Sequence, residues 1–212
     1  MNKFEIKPFQ NIYNHKEHTC FIDGISIQEA LCKIVDNSPK ENAEYLGNVK
    51  GLTFAWTAEL DWKGDVRFVS ELVKTDSTIL PVLLCEDDLD FSCIVVVVET
   101  GKTADFVLWK RIGYVDHSHE DFEEEKKSGI LCTTAYSKED WMKYKDNLAK
   151  ESVDSAAWTQ WILAHWDEEL YRRRMNYTLP YYKSEGNIVW IDNLNWKFDK
   201  NEYDKQISLI YG

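Results

Sequence analysis

The sequence predicts an α+β fold: a largely antiparallel sheet with helices packed on one face, in a single domain over residues 1–212. Three observations lead there. Residues 80–112 hold three apolar segments joined by short polar connections, which suit a meander rather than crossover helices. Within them Val95-Val96-Val97-Val98 shows no polar alternation, so both faces of that strand must be covered. Helical spacing recurs on either side, at residues 26–35 and again at 152–175.

In chain order, residues 1–23 are mixed, with short apolar fragments and two histidines. Ser26-Ile27-Gln28-Glu29 has the form of a capping box, with Ile25 as a staple, and Asn37-Ser38-Pro39 stops the helix that follows. Residues 40–50 read as loop or a short helical turn. Leu52-Thr53-Phe54-Ala55-Trp56-Thr57 alternates as a strand, Asp61-Trp62-Lys63-Gly64-Asp65 is a turn, and residues 66–73 are a second strand candidate. Three more strands are expected at 80–85, 91–99 and 104–112, with Pro81 confined to the start or edge of its strand. Residues 116–127 are a solvated loop or short exposed helix, and 130–134 a short strand. Ser137-Lys138-Glu139-Asp140 opens a helix to about Lys150. The longest helix, 152–175, gathers Trp158, Trp161, Ile162, His165 and Trp166 on one face and ends on Arg172-Arg173-Arg174. Strand-like segments at 188–191 and 195–198, separated by Asp192-Asn193, return the tail to the sheet.

Composition narrows the function classes. Hydrophobic residues make up 44% and charged residues 29% of the 212, the balance of an ordinary soluble protein with a real core. No apolar run reaches the ~20 residues that span a bilayer. The start, Met1-Asn2-Lys3-Phe4-Glu5-Ile6-Lys7-Pro8, lacks the continuous apolar stretch of a secretory signal. A cytoplasmic location and no membrane partner are expected. Five scattered cysteines without a C-x-x-C unit fit reduced thiols, although Cys85 and Cys93 flank one turn. A net charge of -12 disfavours nucleic acid and favours a basic protein partner; solubility alone is the plainer reading of the same charge. Nine tryptophans are unlikely all to be fully buried, so some are expected at a partner-facing surface.

No constellation names a reaction. The acidic turn Glu86-Asp87-Asp88-Leu89-Asp90 has carboxylates dense enough for a hard cation, but it lacks the EF-hand pattern, and acids are common in turns. His15-x-x-His18-x-Cys20 and His117-x-His119 lack the second cluster that a zinc site needs. His165 is either a core histidine or a general base without a matching nucleophile motif. Helix-end neutralisation explains the three arginines. No cofactor is expected.

An apolar strand, an acidic turn with a cysteine, a second apolar strand and Val107-Leu108-Trp109-Lys110-Arg111-Ile112-Gly113 together resemble small bacterial immunity proteins of polymorphic-toxin and contact-dependent inhibition systems. The resemblance covers residues 80–113 and carries over no individual residue role. It implies a non-enzymatic protein that binds and neutralises a cognate toxin domain, of basic charge by the chain's own acidity. The acids expected to meet that partner are Asp87, Asp88, Asp90, Asp116, Glu120 and Asp121, with Trp62 and Trp109 as exposed hydrophobic anchors. Two alternatives stand beside it: an enzyme with a carboxylate or histidine site, with or without a divalent metal, and an oligomeric structural protein.

Overall fold

The computed structural model describes residues 1–58, 60, 62–87, 89–121 and 164–211. The chain divides into two compact units, Met1–His117 with Glu185–Gly212, and Ser118–Ser184. The class is α+β, with antiparallel sheets and helices.

The first unit opens with a hairpin where only mixed fragments were expected. Strands β1 (Phe4–Gln10) and β2 (Lys16–Ile22) pair from Phe4↔Ile22 to Gln10↔Lys16. Phe4 and Ile6 on β1, and Cys20 and Ile22 on β2, turn inward. Asp23 and Gly24 both take positive φ, the two-residue turn that matches strand twist, and lead into β3 (Ile25–Ser26). Helix α1 (Ile27–Val35) begins as its capping pattern predicts: Ser26 Oγ accepts from the Glu29 amide at 3.2 Å. Ile27, Leu31 and Val35, four residues apart, form its buried stripe. Pro39 precedes α2 (Lys40–Leu46), and a 3-10 turn (Val49–Gly51) leads to β4 (Thr53–Phe54), shorter than the six residues expected.

The segment 66–73 is a correction. It lies in helix α3 (Lys63–Val73), not in a strand. Asp65, Phe68, Val69, Leu72 and Val73 are buried at i, i+3, i+4, i+7 and i+8. The buried set has the helical period, not the alternation of a half-buried strand.

The second sheet has the order β4-β5-β6-β7-β8, antiparallel throughout, as the short connections implied. Strands β5 (Ser77–Leu84), β6 (Val95–Lys102) and β7 (Phe106–Val115) are its middle. Val95 to Val98 are fully buried, as two covered faces require. Pro81 lies inside an interior strand rather than at a start or edge. It is tolerated because the β5–β6 register shifts between Pro81 and Leu83, and β4 pairs only with Leu83 and Leu84. Trp56 Nε1 donates to the freed Pro81 carbonyl at 2.7 Å.

After β7 the chain enters the second unit. Its described part holds α4 (Trp166–Arg173), a π-helical turn (Arg174–Thr178) and α5 (Leu179–Lys183). The buried carboxylate of Glu169 meets Arg172 at 2.5 Å and Arg173 at 3.1 Å, so these arginines serve their own helix. The expected strand at 130–134, the helix at 137–150 and the first half of the 152–175 helix, including Trp158, Trp161 and Ile162, lie outside the described residues.

The chain rejoins the first unit as β8 (Ile188–Asp199), one strand where two segments were expected. It absorbs Asp192-Asn193 through register shifts against β7, one of them between Ile112 and Gly113. A Cβ on Gly113 would meet the Val189 carbonyl oxygen at 2.3 Å, so the shift requires glycine. The tail ends as helix α6 (Lys200–Tyr211), which strand-like patterning did not anticipate; Asp199 Oδ1 caps it by accepting from the Glu202 amide at 3.0 Å.

An aromatic cluster joins these elements. Phe4 of β1 lies 4.5 Å from Tyr203 of α6 and 5.8 Å from Trp109 of β7. Trp56 and Phe198 flank Trp109 at 5.8 and 5.6 Å. Such tilted and edge-on contacts are the favoured geometries of buried rings. No helix among the described residues is long and apolar enough to cross a membrane.

Candidate functional site

A cavity of about 570 Å³ opens in the first unit between the β1–β2 turn and the acidic turn after β5. Asn11, Tyr13, His15, Lys16 and Glu17 form one wall, Glu86, Asp87 and Leu89 the opposite one, with Thr53 and Thr57 between them. The two walls are far apart in sequence: Asn11 and Glu86 are separated by 75 residues.

Asn11 builds the first wall. It is buried, and its Oδ1 accepts from the amides of Tyr13 and His15, both at 3.0 Å. This is the local bond by which asparagine favours turns. Asn14 then takes φ +66, the left-handed conformation that asparagine tolerates. Tyr13 lies against Gly51: a Cβ there would meet its ring and hydroxyl at 2.8 to 3.2 Å. The turn therefore presents its side chains from a fixed backbone.

Asn11 also ties the walls together. Its Nδ2 donates to Glu86 Oε1 at 2.9 Å, and His15 Nδ1 meets the same oxygen at 2.5 Å. With Glu86 ionised, the shared proton sits on His15 Nδ1. The Glu86 side chain is only 15% exposed, and its Oε2 is buried without a hydrogen bond among the described residues. Among the described residues, three carboxylates, of Glu17, Glu86 and Asp87, line the cavity against one lysine, Lys16.

Of the eight residues expected at a partner surface, Asp87 alone is seen to line this cavity, and it is exposed. Asp88 lies outside the described residues. Asp90 is turned into its own loop, where Oδ1 accepts from the Ser92 amide at 2.8 Å and hydroxyl at 2.6 Å. Trp62 is half-buried and folds over Gly64. Asp116 is half-buried in the first unit, its amide donating to Asn187 O at 2.9 Å, whereas Glu120 and Asp121 belong to the second.

Trp109 is a correction. It is fully buried, with Nε1 donating to the Tyr203 hydroxyl at 3.0 Å, so it cannot anchor a partner. It shares the inward face of β7 with Val107, and that face closes on the aromatic cluster.

The histidine motifs do not assemble with cysteine. His15 turns to Glu86, while Cys20 is buried in the core, where desolvation pushes its thiol pKa far up. His165 is the residue before α4, half-buried. Cys85 and Cys93 form no disulfide. Among the described residues no group of three or more histidine, cysteine, aspartate or glutamate side chains is placed to hold a metal.

Sequence reasoning missed Asn11, Tyr13, Glu17, Thr53 and Thr57, and considered His15 for zinc alone. The usable signal was Asn11-Ile12-Tyr13-Asn14 between two alternating segments, which marks a hairpin turn and two exposed apolar residues at its tip. Comparison with protein-family models, curated proteins and solved structures finds no match to this chain.

Proposed function

We propose that the chain is a cytoplasmic protein-binding protein of immunity type, which neutralises a cognate bacterial toxin domain of basic charge. The observation that supports this most is the carboxylate-lined cavity at the acidic turn, on a chain whose net charge is -12. A surface with this sign draws basic partners at rates that long-range attraction raises, while a recessed site supplies the desolvated contacts that hold them.

The test is the neighbouring reading frame. An adjacent gene should encode a large protein ending in a small basic domain that stops growth when expressed alone. Co-expression of the present chain should restore growth, and the two should co-purify as a defined complex. Undiminished toxicity and no complex would overturn the proposal, as would a purely metabolic neighbourhood.

A second reading is an enzyme, and the His15–Glu86 contact favours it, because a carboxylate on Nδ1 orients an imidazole for general-base work. The His15 side chain is 70% exposed, which weighs against a site closed to water. Stoichiometric metal in the purified protein, lost together with a hydrolytic activity on His15→Ala, would favour this reading over the first.

A further inference from the structure

We propose that the cavity between the β1–β2 turn and the acidic turn seats one arginine side chain of the protein partner. The inference rests on the reading of the chain as a protein-binding protein and names the group that its site receives.

Shape comes first. At about 570 Å³ the cavity falls within the range of sites that enclose a small ligand, so a whole long side chain fits. Charge comes second: among the described lining residues Glu17, Glu86 and Asp87 outnumber Lys16, which is itself exposed. Glu86 supplies the third argument. Asn11 and His15 hold its Oε1, so the carboxylate is fixed before any partner arrives. Its Oε2 is buried without a hydrogen bond among the described residues, so the charge of the carboxylate is only partly compensated and attracts a cation seated in the cavity.

Guanidinium fits this arrangement better than ammonium. Its planar fork carries five donors, enough to engage Asp87 at the rim while its charge faces the Glu86 carboxylate. A lysine offers a compact, strongly hydrated charge that must give up more water to enter. Next to the cavity, Ile12 and Tyr13 are 47% and 52% exposed at the turn tip. An apolar shoulder beside a recessed charged contact is the anatomy of an interface hot spot, where neighbouring contacts exclude water from the anchor.

The experiment uses the full chain and needs no partner. Nα-acetyl-arginine methylamide is titrated into labelled protein and followed by NMR at the Asn11 side-chain amide and the backbone amides of His15 and Asp87. Saturable shifts are expected there, with the equally capped lysine about tenfold weaker and capped norleucine without effect. Glu86→Gln should weaken arginine binding about tenfold, the loss expected when a nearby, partly buried opposite charge is removed. If Glu86→Gln fails to fold, Asp87→Asn on the exposed rim takes its place and should weaken binding severalfold. No saturable shift at these amides, equal binding of lysine, or unchanged binding in the substituted protein would overturn the inference. So would free arginine binding far more tightly than the capped form, which would make the cavity an amino-acid site. Failure here with an intact toxin complex removes the arginine seat alone; arginine binding without any toxin partner removes the immunity reading instead.

Discussion

Trp109 shows how one side chain resists assignment from sequence. With nine tryptophans in the chain, some must be expected outside the core, and nothing local says which. Its parity with Val107 on β7 was the available clue; the closing contact, the Tyr203 hydroxyl, lies 94 residues away. Trp109→Phe should cost about 2–4 kcal/mol, from the smaller ring's cavity and from a buried tyrosine hydroxyl left without its donor. Tyr203→Phe should cost about 1–3 kcal/mol, and the double variant less than the two added, because both remove the same hydrogen bond. Urea unfolding of the three variants measures this, and strict additivity would show that the bond contributes nothing. Glu99 gives a pH prediction. Burial works against its carboxylate, but hydrogen bonds from Lys110 at 3.0 Å and Arg111 at 2.5 Å outweigh it and lower the pKa below the ordinary 4.5. A carboxylate with a depressed folded pKa stabilises fully above its unfolded value and loses that contribution as pH falls through the folded one. Stability should therefore drop below about pH 4.5, and Glu99→Gln should be less stable than the parent at neutral pH with a shallower acid decline. Matching acid-unfolding curves would contradict this role.

At the scale of elements, what could be read was what is local. The Ser26 cap, the helix it opens and the β5–β6–β7 meander all declare themselves within a few residues. Ser26→Ala should cost about 1 kcal/mol, while Ser26→Asp should retain most of the stability, because either oxygen can accept the Glu29 amide. Thermal melts of the pair test whether the cap, rather than the buried serine itself, matters. Short segments rich in apolar residues mislead: residues 66–73 pass for a strand until burial reveals the 3.6 period. Asp199-Lys200-Asn201-Glu202 was a capping pattern overlooked because β8, which ends on Asp199, is strand-like up to that residue. The site divides along the same line. The acidic turn was visible because its acids are consecutive, whereas Asn11 and His15 join it only through tertiary pairing across more than seventy residues. At Gly113 the requirement is also tertiary: Gly113→Ala would press a methyl against the Val189 carbonyl and should cost about 1–3 kcal/mol or more, again read by urea unfolding.

For the whole molecule, the point where the chain leaves and rejoins the first unit decides what can be removed. Val115 at the end of β7 and Ile188 at the start of β8 are direct cross-strand partners. The Asp116 amide donates to the Asn187 carbonyl at 2.9 Å, so the ladder extends one step past the strands. Residues 118–184 therefore leave and return through two adjacent strand ends, the geometry that a short hairpin loop also closes. Several contacts that the first unit uses near this junction lie outside the excised segment. Arg111 keeps Glu99 and Glu185, and its guanidinium stays stacked over Trp190 at 4.0 Å. Among the described residues, the aromatic cluster and the candidate cavity likewise draw on the first unit. Replacing 118–184 by a short Gly/Asn-rich loop should leave a protein that unfolds cooperatively, with the Val95–Val98 amides still protected from hydrogen exchange. Loop-closure entropy favours this outcome, since a short connection costs less to close than the long one it replaces. A variant lacking a cooperative transition, or exchanging those valine amides freely, would mean that the two units fold only together, as one domain. If the excised protein does fold, it also separates the two groups of acids: Asp87 and the cavity remain, Glu120 and Asp121 go, and any loss of partner affinity is then assigned to the second unit.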